Sequence, residues 1–307
     1  MTHRYTRLIT AEQLAQLQAE GAPLMVFDCS FNLFEPEEAD RLFAQSHIAG
    51  SQQAHLERNL SAQPGQSAAS GGRHPLPTRE AFASWLGRCG FANDMQAVVY
   101  DRNGMNFCGR LWWMLKWAGH DAVAVLDGGL QAWQAAGYTT ASGADAKPKS
   151  ALGDFAVQAP LAELVDTTTV HRSLDDGSLL LIDARGAARY RGEVEPLDPI
   201  AGHIPGAINR PFADNLQADG RFKPAAVLQQ ELAALLPAGL APSQASADAT
   251  LPHTDQPTAL GTTANAAPKT VVYCGSGVSA IATLLALELA GYPRPALYAG
   301  SWSAWSN

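Results

Sequence analysis

Leu24-Met25-Val26-Phe27-Asp28 and Leu179-Leu180-Leu181-Ile182-Asp183 are two short apolar runs, each stopped by an aspartate. Each reads as a buried parallel strand, because a brief continuous apolar run bounded by a polar residue suits a strand covered on both faces. The likeness continues downstream. Ser46-His47-Ile48-Ala49-Gly50 is answered by Gly202-His203-Ile204-Pro205-Gly206, and the register holds: Asp28 and Asp183 stand 155 positions apart, His47 and His203 156. Ala97-Val98-Val99-Tyr100-Asp101 is answered by Thr270-Val271-Val272-Tyr273-Cys274, each a strand running into a Gly-bearing loop and an apolar helix. The helices close on Ala-Gly pairs at 118–119 and 290–291, a C-terminal stop signal. The chain carries one programme twice. Alternating strands and helices predict α/β architecture: two tandem domains, each a mostly parallel sheet with helices on both faces.

A chain of 307 residues accommodates two such units. They are expected at residues 1–142 and 153–307, joined by an Ala/Gly/Ser/Lys/Pro-rich linker at 143–152. Asp101 and Cys274 are 173 positions apart. The surplus falls in an aperiodic Ala/Thr/Ser/Pro-rich segment, predicted to be a flexible surface insertion at about 240–269. Apolar residues make up 47% and the formal net charge is −8, which argues against disorder and against nucleic acid or anionic membrane as partner. An anionic small molecule then has to be met by locally placed arginines. Residues 1–17 lack the apolar core of a signal peptide, and the longest apolar stretch, 278–290, is too short for a membrane span. The cysteines at 29, 89, 108 and 274 form no Cys-x-x-Cys pair, so neither a zinc ribbon nor a disulfide framework is expected. The default setting is cytoplasmic. No metal-ligand cluster, dinucleotide fingerprint or other cofactor motif is present, and no cofactor is inferred.

The chemistry is concentrated in Tyr273-Cys274-Gly275-Ser276-Gly277-Val278-Ser279-Ala280. A cysteine at the carboxyl end of a strand stands where ligands of open α/β sheets bind. The glycines let successive N–H groups curl toward the sulfur, and the following helix adds its positive end. Both favour the thiolate, which is the nucleophile.

With these residues in view, nearly the whole chain resembles the tandem-domain rhodanese-type sulfurtransferases. The resemblance rests on Asp183-Ala184-Arg185, Arg189-Tyr190-Arg191-Gly192, Glu195-Pro196, Gly202-His203-Ile204-Pro205-Gly206-Ala207 and Gly300-Ser301-Trp302. The Cys-Gly-Ser-Gly-Val-Ser loop is similar to that of the 3-mercaptopyruvate branch, since the thiosulfate branch has basic side chains after the cysteine. The resemblance implies a Cys274 persulfide that takes sulfane sulfur from mercaptopyruvate, or alternatively thiosulfate, and passes it to a thiol such as reduced thioredoxin or to cyanide. It makes Cys274, Ser276 and His74 catalytic. Arg189, Gly275, Gly277, Val278 and Ser279 are assigned to the donor, and Arg185 to a structural role holding the two halves together. A third, acidic partner for Ser276 and His74 has no clear counterpart; its position matches His55, with Glu57 nearby. Leu197 stands where the mercaptopyruvate branch has a second arginine.

At the position of Cys274 the first half has Asp101. A carboxylate cannot carry sulfane sulfur, so this half is expected to be silent and to serve as a wall of the cleft. Cys29, Cys89 and Cys108 are expected to be packing residues, and Trp112, Trp113 and Trp117 core and interface. Two rivals remain. A cysteine phosphatase needs an arginine six positions after the cysteine, and residue 280 is alanine. A non-catalytic rhodanese-like binding module would not need the intact loop.

Overall fold

Both aspartate-ended runs are strands over the residues quoted above. The computed structural model describes residues 4–143, 152–237, 239–242 and 268–307. Its strands, in chain order, are β1 (Leu8–Ile9), β2 (Leu24–Asp28), β3 (His47–Ile48), β4 (Gln52–Gln53), β5 (Gln96–Tyr100) and β6 (Val123–Leu126). They continue with β7 (Thr140–Ala141), β8 (Leu179–Asp183), β9 (Ile208–Asn209), β10 (Lys269–Tyr273) and β11 (Ala296–Leu297). One sheet has the order β1-β6-β5-β2-β4 and the other β11-β10-β8-β9, all parallel; β3 and β7 form a small antiparallel pair. The central pairs share one register. Asp28 lies opposite Tyr100 and Asp183 opposite Tyr273, so Asp101 and Cys274 leave their sheets at equivalent points.

The duplicated His-Ile turn has a structural purpose. The Tyr100 hydroxyl accepts the Ile48 N–H at 3.0 Å, and the Tyr273 hydroxyl accepts that of Ile204 at 3.1 Å. His47 stacks on Phe43 at 4.1 Å between ring centres, His203 on Tyr190 at 3.9 Å. Each histidine ring also shares a hydrogen bond with the carbonyl of the residue it stacks on. Both copies thus tie a turn to a central strand while satisfying polar groups removed from water.

Apolar clusters cover both faces of the sheets. One, around Leu14, Val98 and Trp133, belongs to the first half, and one, around Val170, Tyr273 and Trp302, to the second. The largest cluster draws on both halves. At its centre run the helices Cys108–Trp117 and Ala280–Leu289, in which all ten residues are buried. A helix buried on every side, its few charged residues included, belongs between layers, not on a surface. The two cross at Gly109, where an added Cβ would stand 3.0 Å from Ile281 Cγ2. Both end on alanine, followed by a glycine of positive φ (+88° and +86°), as the Ala-Gly pairs predict. The tryptophans lie in core and interface. Trp113 stacks on Trp117 at 5.6 Å, and the Arg294 guanidinium of the second half covers Trp112 at 5.7 Å. Arg294 also donates to the buried Glu288 at 2.6 Å, and Arg7 of the first half lies 3.6 Å from that carboxylate.

The connection between halves differs from the expectation. β7 pairs back onto β3. Residues 153–161, expected in the second unit, run along the first: Gly153 N–H donates to Gly87 O at 2.8 Å, Gln158 N–H to Ala118 O and Leu161 N–H to Lys116 O, both at 2.9 Å. The last two carbonyls sit at the end of the Cys108–Trp117 helix, where the regular helical donors run out; Lys116 O also accepts Gly119 N–H at 3.0 Å, and the strap adds a donor to each. Of the expected insertion, residues 243–267 lie outside the described residues, and Lys269 already belongs to β10. Among the described residues no helix is long and apolar enough to cross a membrane.

Candidate active site

Beyond β10 the Cys274 backbone is pinned by the turn that follows β11. Cys274 N–H donates to Ser301 Oγ at 3.1 Å, Trp302 N–H donates to Cys274 O at 3.0 Å, and Ser303 N–H to Gly275 O at 2.8 Å. Ser301 adopts φ +55°, uncommon for a side-chain-bearing residue, and its hydroxyl also donates to Tyr298 O at 2.9 Å. Gly277 completes the loop at φ +71°, where a Cβ would lie 2.4 Å from Ala299 O; glycine alone fits there.

This turn aims donors at the sulfur. Burial pushes the Cys274 thiol up, but the Ser279 hydroxyl and the N–H groups of Ser276, Ala280 and Val278 outweigh it and hold the thiol below its ordinary value. The other three cysteines go the opposite way. Burial, reinforced by Asp28 and Asp101 charge, raises Cys29 far; burial and Asp101 raise Cys108 far; burial raises Cys89 to about 11. Thiolate character is thus confined to Cys274.

Cys274 lies in a cleft of about 490 Å³ between the halves. Gly275, Ser276, Val278, Ser279, Arg189 and His74 line it as well. Gly277 does not, which departs from its expected donor contact: its backbone is turned against Ala299, and its carbonyl accepts Arg110 Nη1 at 3.0 Å. His74 Nδ1 and Ser276 Oγ are 2.8 Å apart across the interface. Burial, aided by the charges of Arg110 and Arg73, pushes His74 down to about 3, so its ring is neutral and has a lone pair for a proton. Neither His55 nor Glu57 is hydrogen-bonded to His74 among the described residues. His55 instead caps the short helix Leu56–Asn59 through Nδ1.

Four arginines surround the loop. Arg189 donates to Glu195 at 2.6 Å and to Asp198 at 3.3 Å, and Arg73, from the first half, donates to Asp198 at 2.6 Å. Arg185 is buried on Asp183, Glu195 and Gly202 O, with its guanidinium 4.7 Å from the Trp302 ring centre. These partners all belong to the second half, so Arg185 braces that half internally and does not join the two. Arg110 has no carboxylate partner among the described residues. Fully buried in the Cys108–Trp117 helix, it donates to Gly277 O at 3.0 Å, His74 O at 2.8 Å and Leu60 O at 3.2 Å. Burial lowers it to about 10 against the opposing pull of Cys274, so it stays charged. Sequence reasoning missed Arg73 and Arg110. The signal for Arg110 was a charged residue, one of two with Lys116, in a helical stretch otherwise made of apolar residues and one glycine; Arg73 adjoins His74 in the chain.

The first half closes the equivalent loop on a carboxylate. The Asp101 carboxylate accepts N–H groups from Asn103, Met105, Phe107 and Cys108 at 2.8–3.1 Å. Both copies therefore curl backbone N–H groups around one side chain, a carboxylate in the first and a thiol in the second.

Residues 10–136 and 166–307 each match the rhodanese-like domain family. A probable 3-mercaptopyruvate sulfurtransferase of Pseudomonas aeruginosa is 42% identical over 301 residues, covering 97% of this chain and 94% of that protein. A putative thiosulfate sulfurtransferase of Mycobacterium tuberculosis is 36% identical, covering 98% and 94%. The crystal structure of the 3-mercaptopyruvate sulfurtransferase SseA of Escherichia coli superposes with a TM-score of 0.72 at 28% identity, covering 96% of this chain and 98% of that one. The two sheets with their matched loops, one closed on Asp101 and one on Cys274, are those of a sulfurtransferase built from two rhodanese domains, and the chain belongs to the rhodanese family.

Proposed function

We propose that the chain transfers sulfur from 3-mercaptopyruvate to a thiol or to cyanide through a persulfide on Cys274. The observation that carries the choice of donor is the Ser276–His74 contact beside the sulfur. Mercaptopyruvate brings a thiol proton that must move during the reaction, whereas thiosulfate brings none. A serine hydroxyl backed by a neutral imidazole suits that task.

Cys274 thiolate attacks the donor sulfur. The S–S bond forms as the C–S bond breaks, and its electron pair leaves on carbon as pyruvate enolate. The donor thiol's proton passes through the Ser276 hydroxyl, oriented by the neutral His74 ring, to the enolate carbon, giving pyruvate and a Cys274 persulfide anion. The loop N–H groups stabilise the negative sulfur at each stage. An acceptor thiolate, such as that of reduced thioredoxin, or cyanide then attacks the outer sulfur and Cys274 leaves as thiolate. The setting is reducing and cytoplasmic, where such thiols persist.

Steady-state assays with both donors, alongside mass spectrometry of donor-treated protein, test the reading. One added sulfur on Cys274, loss of transfer in Cys274→Ser and a higher kcat/KM with mercaptopyruvate are expected. A kcat/KM with thiosulfate equal or higher would overturn the donor, and an active Cys274→Ser protein the mechanism.

A further inference from the structure

Resting on the mercaptopyruvate reading above, we propose that Arg73, supplied by the silent half, is the second cation of the donor-carboxylate site and a determinant of donor preference. Leu197 offers no charge at the position where similar sequences have an arginine. The guanidinium of Arg73 comes to that same place from across the cleft: its Nη1 donates to Asp198 at 2.6 Å and reaches Leu197 O at 3.5 Å. The loop bearing it is fixed to the catalytic half by Arg73 N–H donating to Ser303 Oγ at 2.9 Å.

Two guanidinium ends remain uncommitted, and they meet over one residue. Arg73 Nη2 and Arg189 Nη1 make no hydrogen bond among the described residues. They stand 3.3 and 3.4 Å from the point a Cβ on Gly275 would occupy. Arg73 Nε is also buried without an acceptor. A buried donor left unpaired is costly, so the arrangement calls for an oxygen-bearing ligand. Asp198, held between both arginines, orients them. The bare face of Gly275 lets both guanidinium ends come close to the backbone, one residue from the nucleophile. A carboxylate seated there is held by two planar cations, with the donor's sulfur-bearing carbon directed to Cys274. Arg73, Arg185 and Arg189 face Asp183, Glu195 and Asp198, so this cluster is neutral in formal charge. Recognition rests on directed N–H groups, not on the locally positive field that arginine content alone suggests.

The test compares wild type, Arg73→Gln, Leu197→Arg and the double variant. Each is assayed with mercaptopyruvate, and for protection of Cys274 from iodoacetamide by pyruvate, which carries the carboxylate without the sulfur. Loss of a charge-assisted hydrogen bond predicts that Arg73→Gln raises KM about tenfold to a hundredfold with kcat changed much less. The pyruvate concentration for half-protection rises in parallel, and Leu197→Arg in the Arg73→Gln background recovers most of both losses. Unchanged KM and protection in Arg73→Gln overturn the proposal. So does a fall in kcat that Leu197→Arg does not repair, which marks a merely structural residue. Failure of the donor reading appears elsewhere, in a wild type that prefers thiosulfate while its pyruvate protection still depends on Arg73.

Discussion

Replacing Ser279 by alanine isolates one of the contacts that hold Cys274 as thiolate. The Ser279 hydroxyl is the leading favourable contact to the sulfur, ahead of the N–H groups of Ser276, Ala280 and Val278. It makes no capping bond for the helix that follows, so its removal spares the fold. A hydrogen bond to a charged group is worth about 1.5–3 kcal/mol. At about 1.4 kcal/mol per pH unit, the Cys274 pKa rises by roughly one to two. The pH profile of iodoacetamide alkylation, read by mass spectrometry of the Cys274 peptide, reports it directly. Two signed changes are expected. The midpoint moves up by that amount, so the variant reacts more slowly at low pH. On the plateau, where both proteins are fully ionised, the variant reacts about threefold to tenfold faster, since nucleophilicity grows with basicity at a Brønsted slope near 0.4–0.5. A midpoint that stays in place would refute the assignment of Ser279 as a thiolate donor. A shift downward would show that the hydroxyl had favoured the neutral thiol.

Three further outcomes follow from the same contacts. His74 stays neutral in the fold down to about 3 but titrates near 6.5 when exposed; the unfolded chain therefore gains a proton first, and stability falls as pH drops below 6.5. Each such histidine adds a slope of up to about 1.4 kcal/mol per pH unit, so urea denaturation of His74→Gln between pH 6 and 4 should show a shallower decline; an equal slope counts against the buried neutral ring. Gly277→Ala forces a Cβ onto Ala299 O at 2.4 Å with φ at +71°, and should lower the melting temperature and sulfur transfer together, at a cost of about 2 kcal/mol or more. Asp101→Asn sets an amide among four N–H donors and should destabilise by about 2–4 kcal/mol while the remaining folded protein keeps its kcat; a selective loss of kcat would show that the Asp101 loop itself takes part in the chemistry.

The repeat was legible because strand burial and turn chemistry leave periodic local marks. β2 and β8 end on their aspartates as read, and the Tyr100 and Tyr273 hydroxyls explain why the His-Ile turn recurs. The loop was legible too, since Gly275 and Gly277 record backbone requirements. What escaped lies between the halves. Arg110 meets Gly277 at a sequence separation of 167 and Arg73 meets Asp198 at 125, and no local periodicity encodes such pairs. Arg185 was misassigned as a link because its charge was visible and its partners, Asp183 and Glu195, were not known to enclose it. The strap at 153–161 was hidden because it forms no periodic element, only backbone bonds to carbonyls left over at a helix end.

The buried Arg110 also bears on how molecules enter and leave. One guanidinium holds His74 and Leu60 in one half and Gly277 in the other, with no water-facing side. Parting the halves would break its bond to Gly277 and open the packed seam around it. The contact therefore works against opening the cleft as a hinge. On the proposed reading, donor and acceptor reach Cys274 in turn through the cleft as it stands, which favours an acceptor slender enough to enter it.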